Sequence, residues 1–537
     1  MFITIAVIPI TRDLAGKYRA LDFPGGRKLH DRPIPKCGGI SMILGAFLPI
    51  LLWTPGGAFL RSILIGSWII IIFGLIDDVK DLTYTLKFFG QVLAAMVVIV
   101  YGGLALQNLG ALWPGASLLP AYISIPLTLF VIVGVTNAIN LSDGLDGLAG
   151  GISLLSFMCI GYLAFSGGAT AIVVVCTAMI GAIIGFLRYN THPASIFMGD
   201  TGSQLLGFLA ITLSLHLTQT NQNLNKVLPL LVMGLPILDT LRVMADRIME
   251  GKSPFVADTR HLHHRIMKFG FAHSEAVLTI YSLHAMLVTV AFLLRFQSEW
   301  YSLLVYSIYS IAIVAVAYAM TKTGWQRKEY NFLDNVLKIR LYQIHKQRVF
   351  IRISFKLMEV GVPLLFLVAC LVSSSIPFVI SLGSAAFGSF LLAVRLFKPN
   401  WTGFAIRLAV YLLVPFVVYQ SEISPVSWAN VQFLRGYNIF FAAAALFVVL
   451  VLKFTRRKSG FKSTPMDFLI LFIALVIPNI PDPQIRSYQM GMVAAKIICI
   501  YFGFEVLIGE LRGEYERISN EIVIILLIIC GRGFIAI

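Results

Sequence analysis

An all-α, polytopic integral membrane protein is the fold class this sequence predicts, with about 11 transmembrane helices in its first part and about 7 in a C-terminal extension. Three observations carry that prediction. Hydrophobic residues make up 58% of the chain and charged residues only 13%, where an ordinary soluble domain carries about 25%. Apolar runs of about 15–20 residues recur along the whole length, each near the thickness of a hydrocarbon core. Lys and Arg cluster in the short polar segments between the runs, as the positive-inside rule requires of a multi-pass protein.

The net charge of +16 raises the question of nucleic acid, but no basic stripe alternates with exposed aromatics, and none is expected as a partner. The cations fit anionic lipid or phosphate substrates instead. The six Cys (37, 159, 176, 370, 499 and 530) show no paired spacing and fall mostly in apolar runs. They read as small core residues, neither a disulfide framework nor a thiolate metal site.

Taken in order, the first run, residues 2–10, is short for a span. It ends in Pro-Ile-Thr-Arg, without the small-residue site of a cleavable signal peptide. A basic segment, 12–36, follows. Spans near 40–53 and 63–76 flank a Pro-Gly-Gly turn, and the second runs into Asp77-Asp78-Val79-Lys80-Asp81. A span near 88–101, an outer loop to about 120 and a span from 121 lead into the polar stretch 136–151, T-N-A-I-N-L-S-D-G-L-D-G-L-A-G-G. Two further spans reach Arg188. The stretch 188–203, R-Y-N-T-H-P-A-S-I-F-M-G-D-T-G-S, opens a span to about 216. An uncharged outer loop and a span ending near Asp239 precede the longest inner loop, about 242–274, with two more spans ending at Thr321. Residues 322–356 hold nine Lys or Arg against two acids and read as a basic cytoplasmic linker. The expected domains are therefore 1–321, 322–356 and 357–537. The last shows no internal repeat of the first half and no dense Asn/Asp/His cluster.

Counting alternation puts every polar motif on one face, and the loops there carry most of the cations, so that face is expected to be cytoplasmic. Lipid cannot solvate polar, glycine-rich backbone, so the stretch 136–151 needs water, a cation or a ligand. Helical spacing would set Asn137 near Asn140, Asn140 near Asp143 and Asp143 near Asp146, a group of hard oxygen donors suited to Mg²⁺ and substrate phosphates. The bland alternative is a polar loop that breaks a helix. Asp77 and Asp78 repel unless a cation, proton or water shares them; they can hold Mg²⁺ or take a proton, or simply end a solvated helix. Gly199 and Gly202 beside Asp200 allow close backbone approach to a phosphate, and Asp200 can also cap the helix that follows. His261, His263 and His264 lack the H-E-x-x-H spacing and any nearby Cys, which argues against zinc. With Arg260 and Arg265 they suit a pyrophosphate clamp, or a basic surface loop on anionic lipid. Lys36 is the last cation of R-K-L-H-D-R-P-I-P-K-C-G-G, whose cations attract a phosphate head group or mark topology.

These motifs, in their order along the chain and on one face, resemble the polyprenyl-phosphate N-acetylhexosamine-1-phosphate transferase superfamily (glycosyltransferase family 4) over about residues 20–320. D-D-V-K-D and the loop P-F-V-A-D-T-R-H-L-H-H-R resemble its undecaprenyl-phosphate GlcNAc-1-phosphate branch more than its MurNAc-pentapeptide branch. The resemblance implies transfer of N-acetylhexosamine-1-phosphate from a UDP-sugar to undecaprenyl phosphate, with UMP released and Mg²⁺ or Mn²⁺ required. It implies Asp200 and Asn140 as metal ligands and Asp77 and Asp78 as the essential acidic pair. It places Asp146 and Phe197 at the uracil, and His261, His263, His264, Arg260 and Arg265 at the pyrophosphate. Asn137, Asp143 and Lys36 join the expected substrate-binding set. The expected partners are a UDP-N-acetyl sugar, undecaprenyl phosphate and the bilayer of the bacterial cytoplasmic membrane. A homodimer, and a polysaccharide-pathway partner for the C-terminal extension, stay open. So do other UDP-N-acetyl donors, a transporter or flippase, and a non-catalytic scaffold. Clusters at one face and the lack of a repeat favour the enzyme over a transporter, whose site would sit near the midplane.

Overall fold

The computed structural model of the 537-residue chain describes residues 1–18, 20–23, 32–113, 118–253, 260–326, 348–454, 490–511 and 515–535. They fall into two compact units, one within 1–328 and one within 329–537. The fold is all-α apart from a two-residue antiparallel pair, β1 (Leu21–Asp22) with β2 (Ile34–Pro35).

The first unit runs α1 (Phe2–Lys17), α2 (Gly38–Trp53), α3 (Ala58–Lys80), α4 (Tyr84–Val100), α5 (Ala121–Leu141), α6 (Leu148–Ser166) and α7 (Thr170–Asn190). It continues with α8 (Gly199–Thr220), α9 (Leu228–Val232), α10 (Gly234–Met249), α11 (Leu262–Lys268), α12 (His273–Leu293) and α13 (Glu299–Lys322). Helix α1 extends past the short apolar run into the polar Thr11–Lys17 turns. The polar stretch after residue 136 is divided: it ends α5, turns over 142–147 and begins α6. Helical spacing therefore holds for Asn137 and Asn140 but not for Asp143 and Asp146, which sit in the turn.

Helix α8 is the centre of this unit. It packs on α2, α3, α5 and α6, and nearly all its residues are buried. Nine helices among the described residues are long and apolar enough to cross a membrane, and α8 is not one of them. A helix walled by protein can carry Gln204, Thr212 and His216, whereas α13, facing outward, must stay apolar. Small residues let backbones meet at the motif-bearing end of α8: a Cβ on Gly39 would lie 2.6 Å from Gly202 N, and one on Gly74 would lie 2.5 Å from Thr201 Cα.

The second unit contains α14 (Arg348–Val372), α15 (Phe378–Phe397), α16 (Thr402–Ile423), α17 (Val431–Phe454), α18 (Met490–Leu511) and α19 (Glu516–Ile535). Residues 348–356, expected in the linker, form the first turns of α14; residues 327–347 and 455–489 lie outside the described residues. The core of the unit gathers Val362, Phe366, Val410, Val414, Phe504 and Ile525. Two ion pairs join α16 to α18, Arg407–Glu505 at 2.8 Å and Glu422–Lys496 at 2.5 Å; the Lys496 side chain is only 2% exposed. Four of the six Cys are buried, and all six are free thiols.

Candidate active site

The C-terminal end of α3 meets the N-terminal end of α8. Asp78 accepts hydrogen bonds from Asp200 N at 2.9 Å on one carboxylate oxygen, and from Thr201 N at 3.2 Å and Thr201 Oγ1 at 2.7 Å on the other. It thus caps α8 from another helix, placing a negative charge where orphan N–H groups and the helix dipole favour one. Asp200 is not the cap; it lies inside the first turn. Gly199 takes a left-handed conformation, φ 73°, and a Cβ there would lie 2.5 Å from Asp78 Oδ2, so only glycine allows the approach. Of the acidic pair, Asp78 is the positioning residue.

Asp77 faces elsewhere. Its Oδ1 accepts Leu82 N at 2.7 Å, and Lys87 Nζ lies 2.5 Å from its Oδ2 and 3.4 Å from Asp200 Oδ2. Lys87 thus bridges the two carboxylates. Asn140 joins them: its amide contacts Asp200, and its Oδ1 accepts Ser203 Oγ at 2.6 Å. Asp143, in the turn between α5 and α6, has its carboxyl pushed up to about 7, first by burial and then by the charges of Asp200, Asp78 and Asp146.

A buried polar chain holds these helices in register. Asn137 Nδ2 donates to Gln91 Oε1 at 2.5 Å, and Gln91 Nε2 donates to Gln204 Oε1 at 3.0 Å. Asn137 is therefore committed to α4. Lys87 and Gln91, like Asp200 and Gln204, stand one turn apart, so each helix carries a polar stripe on an apolar cylinder.

Asp146 lies beside this cluster. Its Oδ2 accepts Ala194 N at 3.0 Å and contacts His192 Nδ1 at 2.8 Å. Asn190 ties the two loops, accepting Gly147 N at 2.9 Å and donating to Ile196 O at 2.9 Å. Phe197 and Lys36 form a parallel bridge, with Phe197 N donating to Pro35 O at 2.8 Å, so the end of the basic N-terminal segment abuts the F-M-G-D loop. Arg27 and Lys28 of that segment, and residues 254–259 of the inner loop, lie outside the described residues.

Helix α11 and the two residues before it split the His/Arg motif between two surroundings. His263 is buried so close to the D-G-L-D-G turn that a Cβ on Gly144 would lie 2.2 Å from its Nε2. Burial, and next the charge of His264 whose ring is 4.2 Å away, push the His263 imidazole down to about 3, so it is neutral at physiological pH. Asp239 caps α11, accepting Leu262 N at 2.8 Å and contacting His261 Nδ1 at 2.9 Å. Arg260 and Arg265 instead pair with Glu250 at 2.5 Å and Asp246 at 3.2 Å, and with Lys268 and Trp325 they line a pocket of about 280 Å³. A neutral His263 cannot act as a charged clamp; the lasting positive charge belongs to the arginines.

Lys87, Gln91, Gln204, Thr201, His192, His273 and Asp239 were not singled out from the sequence. Lys87 and Gln91 had one legible signal, a charged and a polar residue four apart at the start of an apolar run. His192 and His273 had none, since their partner Asp146 is 46 and 127 residues away.

Fold and site together define a class: a multi-pass helical membrane protein that gathers carboxylates, an amide and a lysine at one end of its helices, a setting for phosphate chemistry. Comparison with known proteins narrows it. Glycosyl transferase family 4 matches residues 60–218. A probable undecaprenyl-phosphate N-acetylglucosaminyl 1-phosphate transferase of Bacillus subtilis (strain 168) is 36% identical over 320 residues, 59% of this chain and 88% of that protein. An undecaprenyl-phosphate alpha-N-acetylglucosaminyl 1-phosphate transferase of Yersinia pestis is 31% identical over 60% of this chain and 90% of its own length. A decaprenyl-phosphate N-acetylglucosaminephosphotransferase of Mycolicibacterium smegmatis is 35% identical over 50% of this chain and 74% of its own length. The chain belongs to glycosyl transferase family 4.

Proposed function

We propose that this protein transfers GlcNAc-1-phosphate from UDP-GlcNAc to undecaprenyl phosphate, releasing UMP and leaving a lipid-linked sugar pyrophosphate, at the cytoplasmic face of the bacterial inner membrane. The observation that carries the reading is the meeting of Asp77 and Lys87 with Asp200 and Asn140 at one end of the bundle, in a chain whose relatives bear that activity in their names.

A phosphate oxygen of the lipid attacks the β-phosphorus of the donor; the bond to the bridging oxygen breaks, and UMP departs with the electron pair. The lipid phosphate is already largely ionised, its second pKa being about 6, so it needs no general base. The barrier is the meeting of two anions, which fixed donors lower by charge stabilisation and positioning. Lys87 Nζ supplies one such charge, held between Asp77 and Asp200. Asp77 acts as its anchor. Asp78 fixes the first turn of α8 and thereby the place of Asp200. Asp146 and Phe197 flank the nucleobase, and neutral His263 offers a hydrogen bond rather than a charge.

The donor set fits Mg²⁺, with Mn²⁺ as its substitute. Asp77 and Asp200 converge on a single lysine, Asp78 lies beside them against the first turn of α8, and every donor is a hard oxygen. Asp200 and Asn140 would hold the ion, which when bound supplies Lewis-acid neutralisation of the pyrophosphate.

The test uses purified protein in detergent with undecaprenyl phosphate, Mg²⁺ and UDP-sugars offered singly, following UMP and lipid product mass. UMP and a GlcNAc-pyrophosphate lipid from UDP-GlcNAc, both lost in Asp200→Asn, are expected. Folded protein that turns over no donor with either metal would overturn the assignment.

A further inference from the structure

Beside the oxygen cluster, three distant segments bring one carboxylate and two imidazoles together. Asp146 lies in the turn after α5, His192 in the loop after α7, and His273 is the first residue of α12. Asp146 Oδ2 is 2.8 Å from His192 Nδ1 and 4.0 Å from His273 Nε2. The ligating atoms of all three lie within 4.8 Å of one another. The two imidazoles stack with centroids 4.1 Å apart.

Two further features fit a ligand. His273 Nε2 accepts the Asp146 backbone N–H at 3.2 Å, so the ring carries its proton on Nδ1, and a metal would take the Nε2 lone pair by displacing that one N–H. That Nδ1 is buried without a hydrogen-bond partner among the described residues. The His273 side chain is 10% exposed and that of His192 41%, which leaves one wall closed and one side open for entry and for water.

We propose that Asp146, His192 and His273 form a second metal site, distinct from the Asp200–Asn140 oxygen cluster and selective for a Zn²⁺-class cation. Two imidazoles and one carboxylate with an open position are a transition-metal donor set, whereas Mg²⁺ prefers oxygen alone. Binding replaces the His192–Asp146 hydrogen bond: the metal takes the Nδ1 lone pair and the neutral ring carries its one proton on Nε2 instead. Occupancy also ties up Asp146; this consequence, that the metal opposes nucleotide binding, rests on the reading of Asp146 as a nucleobase residue, while the site itself does not.

The experiment uses the full chain with any affinity tag removed, stripped by chelator and titrated with Co²⁺ in excess Mg²⁺. Visible ligand-field absorption and metal content by elemental analysis are the readouts. The expected result is a saturable Co²⁺ site displaced by Zn²⁺. His192→Ala and His273→Ala should each weaken it by more than about tenfold, the lower end of what loss of even a supporting partner costs. Asp200→Asn should leave it in place. Should His273→Ala fail to fold, the exposed His192→Ala decides alone. No Co²⁺ retained by the wild type in Mg²⁺, or equal retention by the folded His192→Ala protein, would overturn the site. Zn²⁺ that raises KM for UDP-GlcNAc in the wild type but not in His192→Ala supports the opposition to nucleotide. Retained metal with KM unchanged overturns that consequence and leaves the site standing.

Discussion

Asp78 gives both carboxylate oxygens to the first turn of α8, while its neighbour Asp77 faces Lys87 and Asp200. Losing Lys87 removes the charge that bridges two carboxylates. Lys87→Met should lower kcat about a hundredfold, the scale of losing one preorganised donor. It should also lower the unfolding midpoint, because Asp77 is then buried beside Asp200 unpaired. Adding Asp77→Asn should restore the midpoint without restoring turnover; recovery of both would make Lys87 structural only. Asp143 gives a pH signature. Its carboxyl is pushed up to about 7 by burial and its acidic neighbours. Between about pH 4 and pH 7 the unfolded chain has released this proton and the folded chain has kept it, so stability falls as pH rises and stays lowered above that range. Thermal unfolding of metal-free protein should show Asp143→Asn gaining on the wild type at pH 8, with the gain vanishing toward pH 4. Equal gain at both ends would refute the shift. Asp77, Asp78, Asn140 and Asp200 could be read from the chain because each is a polar residue set in apolar sequence, where lipid allows no idle charge. Lys87 could not, because one cation at a helix start also looks like a topology marker.

At the scale of elements, close packing rather than polarity brings the acids together. Helices α2 and α3 touch the backbone of α8 through Gly39 and Gly74. Gly74→Val would force α3 away from Thr201, and with it Asp77 and Asp78 from Asp200. An overpacked site typically costs about 1–3 kcal/mol, and here the obstacle is backbone that cannot swing aside. A lowered unfolding midpoint together with lost UMP release is expected. Gly134→Ala is the control, since its Cβ would meet nothing within 4 Å; it should match or exceed the wild type in stability. If Gly74→Val behaved like Gly134→Ala, packing would not be what sets the acids. The runs and their alternation were legible as elements, because hydrocarbon thickness sets helix length. The split of H-L-H-H-R at the start of α11, His263 toward the D-G-L-D-G turn and Arg265 toward Asp246, was not. It depends on Asp239 capping a helix too short to show a period.

The molecule as a whole carries two units, and the relatives account for one of them. The match to the Bacillus protein takes 59% of this chain yet 88% of that protein, over about the N-terminal 320 residues. Each residue placed here in the transfer chemistry, and every contact given for it, lies within the first unit. The second unit has its own core and its own ion pairs, the buried Glu422–Lys496 and the half-buried Arg407–Glu505. Charges so placed inside apolar helices cost too much to keep without packing or function. A unit with its own core can fold alone. A chain ending at Lys328 should therefore remain monodisperse in detergent and release UMP from UDP-GlcNAc within about tenfold of the full-length rate, the margin left for a neighbour that steadies rather than catalyses. A truncated chain that unfolds like the first unit but turns over far more slowly would assign the second unit a part in lipid binding or product release. Full turnover would place its role after the transfer step.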